Sequence, residues 1–460
     1  MKCEIKLSFL ERLILDMYGL LMRCLQPLLR RKLQSRGELE PGYLQHVPQR
    51  FGVYDTPVLS PGCVWVHAVS LGETRAAGLL IDALRQRLPF MRLLLTHSTA
   101  TGMAQGLGLL KVGDIQAWLP WDTPQATRLF LQHHRPHFGI LMETEIWPVL
   151  VNTCQQQCVP LFLVNARLNA QSLRSAQRWS WLARPAYRGL SGVLAQSKAD
   201  ADRFNAMGAT VNGVLGNLKF DVQAQPHDQV RALLWREQWI HQGLPRPVVM
   251  LASTREGEEA LWLDALAANP ERLAVFQALG ILWLLVPRHP QRCDDVYAQV
   301  RERGWSIFKR SALPEGGQAW PPVASHAQVW LGDSLGEMPL YFYAADMALL
   351  GGSFVSLGGQ NLIEAAAFGC PIVMGPHTYN FAEASEQAQA VGAAKRVTDM
   401  DGALNQVLVW INDRAALASA RQAGLDMVMN SRGAADHYAQ TLLSLVSDHE
   451  SQLGACKENT

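Results

Sequence analysis

Two stretches of this chain open in the same way. Val64-Trp-Val-His-Ala-Val-Ser-Leu-Gly-Glu73 leads into a segment containing Asp82-Ala83-Leu84. Val248-Val-Met-Leu-Ala-Ser-Thr-Arg-Glu-Gly-Glu258 leads into one containing Asp264-Ala265-Leu266. Each reads as an apolar strand, a Ser/Gly/Glu turn and a helix. Each then runs into a second apolar strand, Met91 to Thr96 and Ile281 to Val286. Further strand-like runs follow at Phe138 to Met142, Leu161 to Val164 and Val193 to Ala195, then at Val329 to Leu331, Met347 to Leu350 and Ile372 to Met374. Apolar runs alternating with helical patterns predict doubly wound α/β domains. Two such halves imply a cleft, the usual place for a ligand.

A chain of 460 residues is long enough for two or three domains. The expected division is an N-terminal segment 1–40, a first domain 41–218, a linker 219–245 that includes the polar run Phe220 to Pro226, a second domain 246–448 and a polar tail 449–460. Basic and acidic residues balance at 41 to 40, which excludes the basic surplus of a nucleic-acid binder. The eight cysteines form no CxxC pair and read as reduced thiols. Cys154 and Cys158 are expected on one helix face.

Residues 7–29 are mostly Leu, Ile, Met, Phe and Tyr, yet carry Glu11, Arg12, Asp16 and Arg23. At helical spacing these four share a stripe with Ser8 and Gln26. Leu10, Leu13, Ile14, Met17, Leu20, Leu21, Leu25 and Leu28 fill the other side. So many charges disfavour a spanning helix and predict an amphipathic one lying in a membrane interface. Arg30, Arg31, Lys32 and Arg36 suit anionic headgroups. The competing reading is a helix packed on the protein's own core.

The second half is built to hold a nucleotide. The strand Met347 to Leu350 ends in Gly351-Gly352, Gly358-Gly359 follow, and a helix opens at about Asn361. Glycines let backbone approach a ligand, and a helix N-terminus offers N–H groups to an anion. Glu364, a turn later, could accept hydrogen bonds from the vicinal hydroxyls of a ribose.

Several carboxylates and bases sit just after predicted strands, where open α/β sheets put their sites. Glu73 is either a base for an acceptor hydroxyl or a first-turn glutamate complementing the helix dipole. Of Glu143 and Glu145, one serves a reaction while the other caps a helix, or both cap. Lys219 neutralises an anion or is simply solvated. Arg288 clamps a phosphate or holds a turn in Pro287-Arg-His-Pro290. Gly332 to Pro339 is a further post-strand loop suited to a base or phosphate. His133, His134 and His137 read as an exposed helix end, and Asp399-Met-Asp401 as a helix cap. No Walker loop, GxGxxG or HExxH occurs.

Ten segments resemble, in order, the 3-deoxy-D-manno-octulosonic acid (Kdo) transferases of lipid A assembly. They are Trp65 to Glu73, Leu141 to Pro148, Val164 to Leu168, Ala195 to Ser197, Gly216 to Asp221, Ser253 to Glu259, Pro287 to Pro290, Gly332 to Pro339, Gly351 to Ser353 and Met374 to Phe381. The resemblance implies a GT-B fold, two Rossmann-like domains facing a cleft. It implies an inverting, metal-independent glycosyltransferase with no cofactor, CMP-Kdo as donor and a lipid A precursor as acceptor. It implies work at the cytoplasmic face of a bacterial inner membrane. Glu73 matches the general base; Glu143 and Lys219 match positions that stabilise the transition state. Arg288, His289, Gly336, Glu337, Met338, Asn361, Leu362, Ile363 and Glu364 match the CMP site. The chain departs from the family pattern at Gln360, Leu362 and Ile363, and at Val149 and Asn169. The other readings are a UDP-sugar transferase or epimerase of the same fold, and a non-catalytic nucleotide- or lipid-binding protein.

Overall fold

The computed structural model describes residues 7–57, 62–222, 226–313 and 320–458. They form two units. One comprises Met1–Leu218 with Gly433–Thr460, the other Lys219–Arg432.

The first unit holds seven parallel strands: β1 (Cys63–His67), β2 (Leu93–His97), β3 (Ile115–Trp118), β4 (Pro136–Met142), β5 (Leu161–Ala166), β6 (Gly192–Ala195) and β7 (Val211–Val214). Their order is β3-β2-β1-β4-β5-β6-β7. Val64 pairs with Leu93 on one side and Phe138 on the other, so β1 is an inner strand. Its residues alternate between two cores because successive side chains in a strand point to opposite faces. Val64 and Val66 pack with Leu80, Ile81 and Leu84 of helix α3 (Leu71–Arg87). Cys63 and Trp65 pack with Phe130 on the other face. Trp65 is fully buried and its indole N–H donates to Thr96 Oγ1 at 2.8 Å. Truncating such a residue to alanine typically costs about 3–5 kcal/mol.

The second unit adds a short antiparallel hairpin, β8 (Ile240–His241) and β9 (Leu244–Pro245), and seven parallel strands. These are β10 (Val248–Thr254), β11 (Leu282–Pro287), β12 (Ile307–Lys309), β13 (Val329–Leu331), β14 (Met347–Leu350), β15 (Ile372–Met374) and β16 (Ala394–Arg396). The order β12-β13-β11-β10-β14-β15-β16 repeats the plan of the first sheet. The loops after β13, β11, β10 and β14 therefore lie side by side along one edge of this sheet.

The expected linker 219–245 belongs inside the second unit. Residues Leu218–Asp221 make a 3-10 turn, Pro226–Gln238 an α-helix, and Trp235 and Trp239 enter the core beside Trp330. The second unit ends at Arg432, earlier than the expected 448. From Ala434 to Glu458 a single helix rejoins the first unit. Tyr438, Ala439 and Leu442 are fully buried there, and Tyr438 Oη lies 2.8 Å from the carbonyl of Gly216 and 3.1 Å from that of Ala195. The reason is visible in the sequence Ala434-Ala-Asp-His-Tyr-Ala-Gln-Thr-Leu-Leu443, whose apolar face completes the core over α3. The expected polar tail is thus the last part of that helix, as far as Glu458.

The amino-terminal segment makes two helices, α1 (Phe9–Cys24) and α2 (Gln26–Leu39), and not one. Ser8 and Glu11 form a capping box that starts α1. The helix rests on the first unit along one edge. Glu11 pairs with Arg188, Tyr18 hydrogen-bonds Asp122, and Gly19 sits so close that a Cβ would lie 2.9 Å from Pro124. Glu11 is thus tucked against the fold, and Ile14 and Leu25 are partly covered, contrary to the stripe expected for them. Phe9, Leu10, Leu13, Met17, Leu20 and Leu21 remain exposed. No described helix is long and apolar enough to cross a membrane.

Candidate active site

In the first unit the candidate residues lie just after β1 and β4. Helix α3 (Leu71–Arg87) starts immediately after β1, with Ser70 as its N-cap. Glu73 occupies the first turn and folds back. Its Oε2 accepts the N–H of Val69 at 2.9 Å and its Oε1 accepts the hydroxyl of Ser70 at 3.2 Å. Gly72 beside it faces open space. Burial, then the charge of Glu143, pushes the Glu73 carboxyl up to about 8, against the pull of the Val69 N–H. Glu145 adds to the rise. Two readings of Glu73 therefore coexist: it caps the helix, and its proton affinity lies near neutral pH, where a base works best.

Glu143 follows β4 in the left-handed backbone region, φ 56°. Its backbone is fixed on both sides, N–H to Val164 and carbonyl from Arg167. A bulky residue costs on the order of 1 kcal/mol in this conformation, and such positions cluster at functional sites. Glu145 accepts the Trp147 indole N–H at 2.9 Å, and burial, opposed by that bond, raises its carboxyl. Neither glutamate caps the next helix, Pro148–Gln156. That task falls to Asp122, which accepts from Val149 and Leu150 at 3.2 and 2.8 Å. Nothing in the local sequence announces it, because Asp122 lies 27 and 28 positions away.

In the second unit Arg288 and His289 follow β11 and are exposed. Burial, then the charges of Arg288 and Arg255, lowers the His289 imidazole. Arg292 joins the same cluster, held by Glu259 at 2.7 Å. Arg255 and Arg292 were not among the sequence candidates; Arg255 had a signal, being the first residue after β10. The loop after β13 differs from its expected role. Glu337 is gripped by Arg231 at 2.6 Å and Arg310 at 2.9 Å. Burial pushes its carboxyl up, but the Ser334 and Arg231 hydrogen bonds and the Arg310 charge hold it below the usual range. Its side chain therefore braces the loop. Gly336, at φ 83°, has open space around it, whereas Met338 starts the next helix with its side chain partly packed on the core.

The glycine-rich loop after β14 is tied from within. Glu258, almost fully buried, accepts the N–H groups of Gly352 at 2.7 Å, Arg255 at 2.8 Å and Phe354 at 3.1 Å. Gly351 has no room for a Cβ, which would lie 2.2 Å from the carbonyl of Ser253. The first glycine pair thus serves loop-to-loop packing, a correction to the ligand cradle expected there. Asn361 caps the helix Leu362–Ala367 through the N–H of Ile363. Leu362 and Ile363 put their side chains wholly into the core, so only their main chain can face a ligand. Glu364 is partly exposed one turn on. Lys219 stands 5.5 Å from the Phe381 ring centre.

The weaker signals divide. Asp399 caps the helix Met400–Asn412 through Gly402, as expected. His134 is fully buried, and only His137 of the three is exposed, where it pairs with Glu450, so the expected exposed histidine cluster does not form. Cys154 is buried on its helix, whereas Cys158 lies beyond the helix end. Among the described residues, no group of three or more His, Cys, Asp or Glu is arranged to hold a metal.

Residues 45–222 match the family domain described as 3-deoxy-D-manno-octulosonic-acid transferase (kdotransferase). A 3-deoxy-D-manno-octulosonic acid transferase of Bordetella pertussis is 45% identical over 424 residues, 88% of this chain and 94% of that protein. The chain belongs to the Kdo transferase family. A second Kdo transferase, from Haemophilus influenzae, is 29% identical over 94% of this chain and 97% of its own length. The fold extends further. The UDP-GlcNAc 2-epimerase of Neisseria meningitidis, crystallised with UDP-GlcNAc, is 14% identical with a TM-score of 0.54, over 83% of this transferase and 99% of that chain. Two Rossmann-like units of this kind make the Kdo transferase a GT-B protein.

At Asn169, one of its departures from the family pattern, the transferase still starts a helix. Asn169 caps Ala170–Arg178 by accepting the Ser172 N–H at 2.7 Å.

Proposed function

We propose that this chain is an inverting glycosyltransferase that moves Kdo from CMP-Kdo to a lipid A precursor in lipopolysaccharide synthesis. Its workplace in this reading is the cytoplasmic face of a bacterial inner membrane. The observation that carries the reading is Glu73: a half-buried carboxylate at the end of β1, oriented by Val69 and Ser70, with its proton affinity raised to about 8 by burial and by Glu143.

An acceptor hydroxyl oxygen attacks the anomeric carbon of Kdo. The bond from that carbon to the cytidylate oxygen breaks, and CMP departs with the electron pair. Glu73 takes the hydroxyl proton. One displacement inverts the anomeric centre, as in inverting glycosidases, where a carboxylate activates the nucleophile. Glu143 and Lys219 steady the developing charges. Arg288 and His289 bind the phosphate, with Arg255 and Arg292 raising the local positive potential. Met338, the backbone of Gly336, and Asn361 to Glu364 hold base and ribose, with the Glu364 carboxylate accepting the ribose hydroxyls. The leaving charge is carried by basic side chains, without a metal.

The uncovered apolar side of α1 supports the membrane part. A soluble donor and an embedded acceptor meet at a bilayer surface, and Phe9, Leu10, Leu13, Met17, Leu20 and Leu21 suit its acyl boundary. Arg30, Arg31, Lys32 and Arg36 follow on α2 for anionic headgroups.

The deciding experiment supplies CMP-Kdo and a tetraacylated disaccharide acceptor and weighs the product by mass spectrometry. Gain of one or more Kdo residues supports the reading. No transfer, together with a melting temperature raised by UDP and not by CMP, would replace it with the UDP-sugar reading.

A further inference from the structure

We propose that His97 is a positioning residue for Glu73 and acts through the peptide bond between Ala68 and Val69. The N–H of that peptide donates to Glu73 Oε2 at 2.9 Å. Its carbonyl oxygen, on Ala68, lies 2.8 Å from His97 Nδ1. Both groups belong to one planar unit, so holding the carbonyl fixes the direction in which the N–H points.

The ring's tautomer follows from its other contact. Gln116 Nε2 lies 3.0 Å from His97 Nε2 and 2.8 Å from the carbonyl of Met103. An amide nitrogen only donates, so His97 Nε2 accepts and Nδ1 carries the hydrogen. The result is a one-way chain: Gln116 to His97, His97 to the Ala68–Val69 peptide, and that peptide to the Glu73 carboxylate. Aligned hydrogen bonds polarise one another, so the Val69 N–H is a stronger donor than an isolated one.

The surroundings leave the ring no freedom. His97 is fully buried. A Cβ on Gly106 would meet its Nε2 at 2.4 Å, and one on Gly102 would meet the Val69 carbonyl at 2.7 Å. Thr99 Oγ1 donates to that same Val69 carbonyl at 2.7 Å, clamping the next peptide. Thr74 Oγ1, one residue from Glu73, lies 3.3 Å from His97 Nδ1. Burial lowers the imidazole to about 4, so the ring is neutral wherever the enzyme works. The charged and titratable groups nearby are Glu143 and Glu145 on the Glu73 side, and His67 and Arg50, whose guanidinium reaches the Ser98 carbonyl at 3.2 Å, on the His97 side.

The inference rests on Glu73 being the base, and the test separates the two. Transfer from CMP-Kdo to the disaccharide acceptor is measured against pH for the full-length parent, H97N, H97Q and E73Q. Asparagine sets an amide nitrogen where Nδ1 stands; glutamine sets one where Nε2 stands. H97N should keep the parent's midpoint. H97Q should move the midpoint up by about half to one pH unit and lower kcat at pH 7 about three- to tenfold, with KM little changed. An H97Q profile with the parent's midpoint overturns the inference even if the rate falls. Activity retained by E73Q overturns the base reading and this inference with it; an inactive E73Q with H97Q on the parent profile overturns this inference alone. Should H97Q not fold, Q116M removes the donor to Nε2 and leaves the ring in place. Its midpoint should rise likewise, and an unmoved midpoint overturns the inference.

Discussion

Glu258 and Gly352 stand 94 positions apart in the chain, yet their carboxylate oxygen and backbone nitrogen are 2.7 Å apart. Through this contact, and those to Arg255 and Phe354, one buried acid joins the loop after β10 to the loop after β14.

Glu258→Ala should therefore be costly. It leaves three backbone donors without their acceptor, at about 1–3 kcal/mol for each one that stays buried. We expect at least about 3 kcal/mol less stability in urea unfolding, and a weaker thermal shift on adding CMP. An unchanged urea midpoint would show that the carboxylate ties nothing.

Glu73 gives a pH prediction whose sign is fixed. Its carboxyl titrates near 8 in the folded chain, against 4.5 for an ordinary glutamate. Its contribution to stability is complete below pH 4.5 and lost as pH rises through about 8. Turnover should run the other way, climbing with pH to a midpoint near 8 as the carboxylate forms. Glu73→Gln should cut the rate by about 10²–10⁴. It should also lose less melting temperature than the parent between pH 6 and pH 9. Parallel melting curves would mean that Glu73 titrates at its ordinary value.

Lys219 is expected to act on chemistry more than on binding. Lys219→Ala should lower kcat by roughly 10²-fold, the size of one lost stabilising donor. The CMP dissociation constant, read by calorimetry, should move little. A large rise in that constant with kcat intact would make Lys219 a binding residue.

The apolar side of α1 can be altered without disturbing the side that packs. Leu13, Leu20 and Leu21 are exposed, whereas Tyr18 and Gly19 face the fold. A triple change of these leucines to glutamine should keep the melting temperature. At about 0.8 kcal/mol per CH₂ withdrawn from lipid, it should lower binding to anionic vesicles at least tenfold. Sedimentation with vesicles measures this. Equal partitioning of variant and parent would remove α1 from the membrane account.

What the sequence disclosed, and what it hid, follows burial. The ten inner strands of the two large sheets were each legible as apolar runs, because both their faces meet helices. The four that escaped notice are the four sheet edges: β3, β7, β12 and β16. At two of these edges the side chains are partly in water, and Val211-Asn-Gly-Val214 and Ala394-Lys-Arg396 look like loops for that reason. Candidate positions just past a strand were readable one by one: Glu73, Glu143 and Arg288. The buried groups that hold the surrounding backbone were not. Asp122 meets Val149 and Leu150, Glu258 meets Gly352 and His97 meets the Ala68 carbonyl across long sequence separations, and a single chain gives no local sign of who meets whom. The first glycine pair misled for a related reason, since Gly351 meets backbone where a ligand was expected.

The helix Ala434–Glu458 has a consequence for the order in which the protein is born. Residues 219–432 leave the ribosome as one uninterrupted piece and can finish folding at once. The earlier piece cannot. Until Tyr438 and Leu442 emerge, its sheet waits with a bare apolar flank, open to chaperones and to aggregation. A gene cut after codon 432 would strand the amino-terminal piece in that unfinished condition.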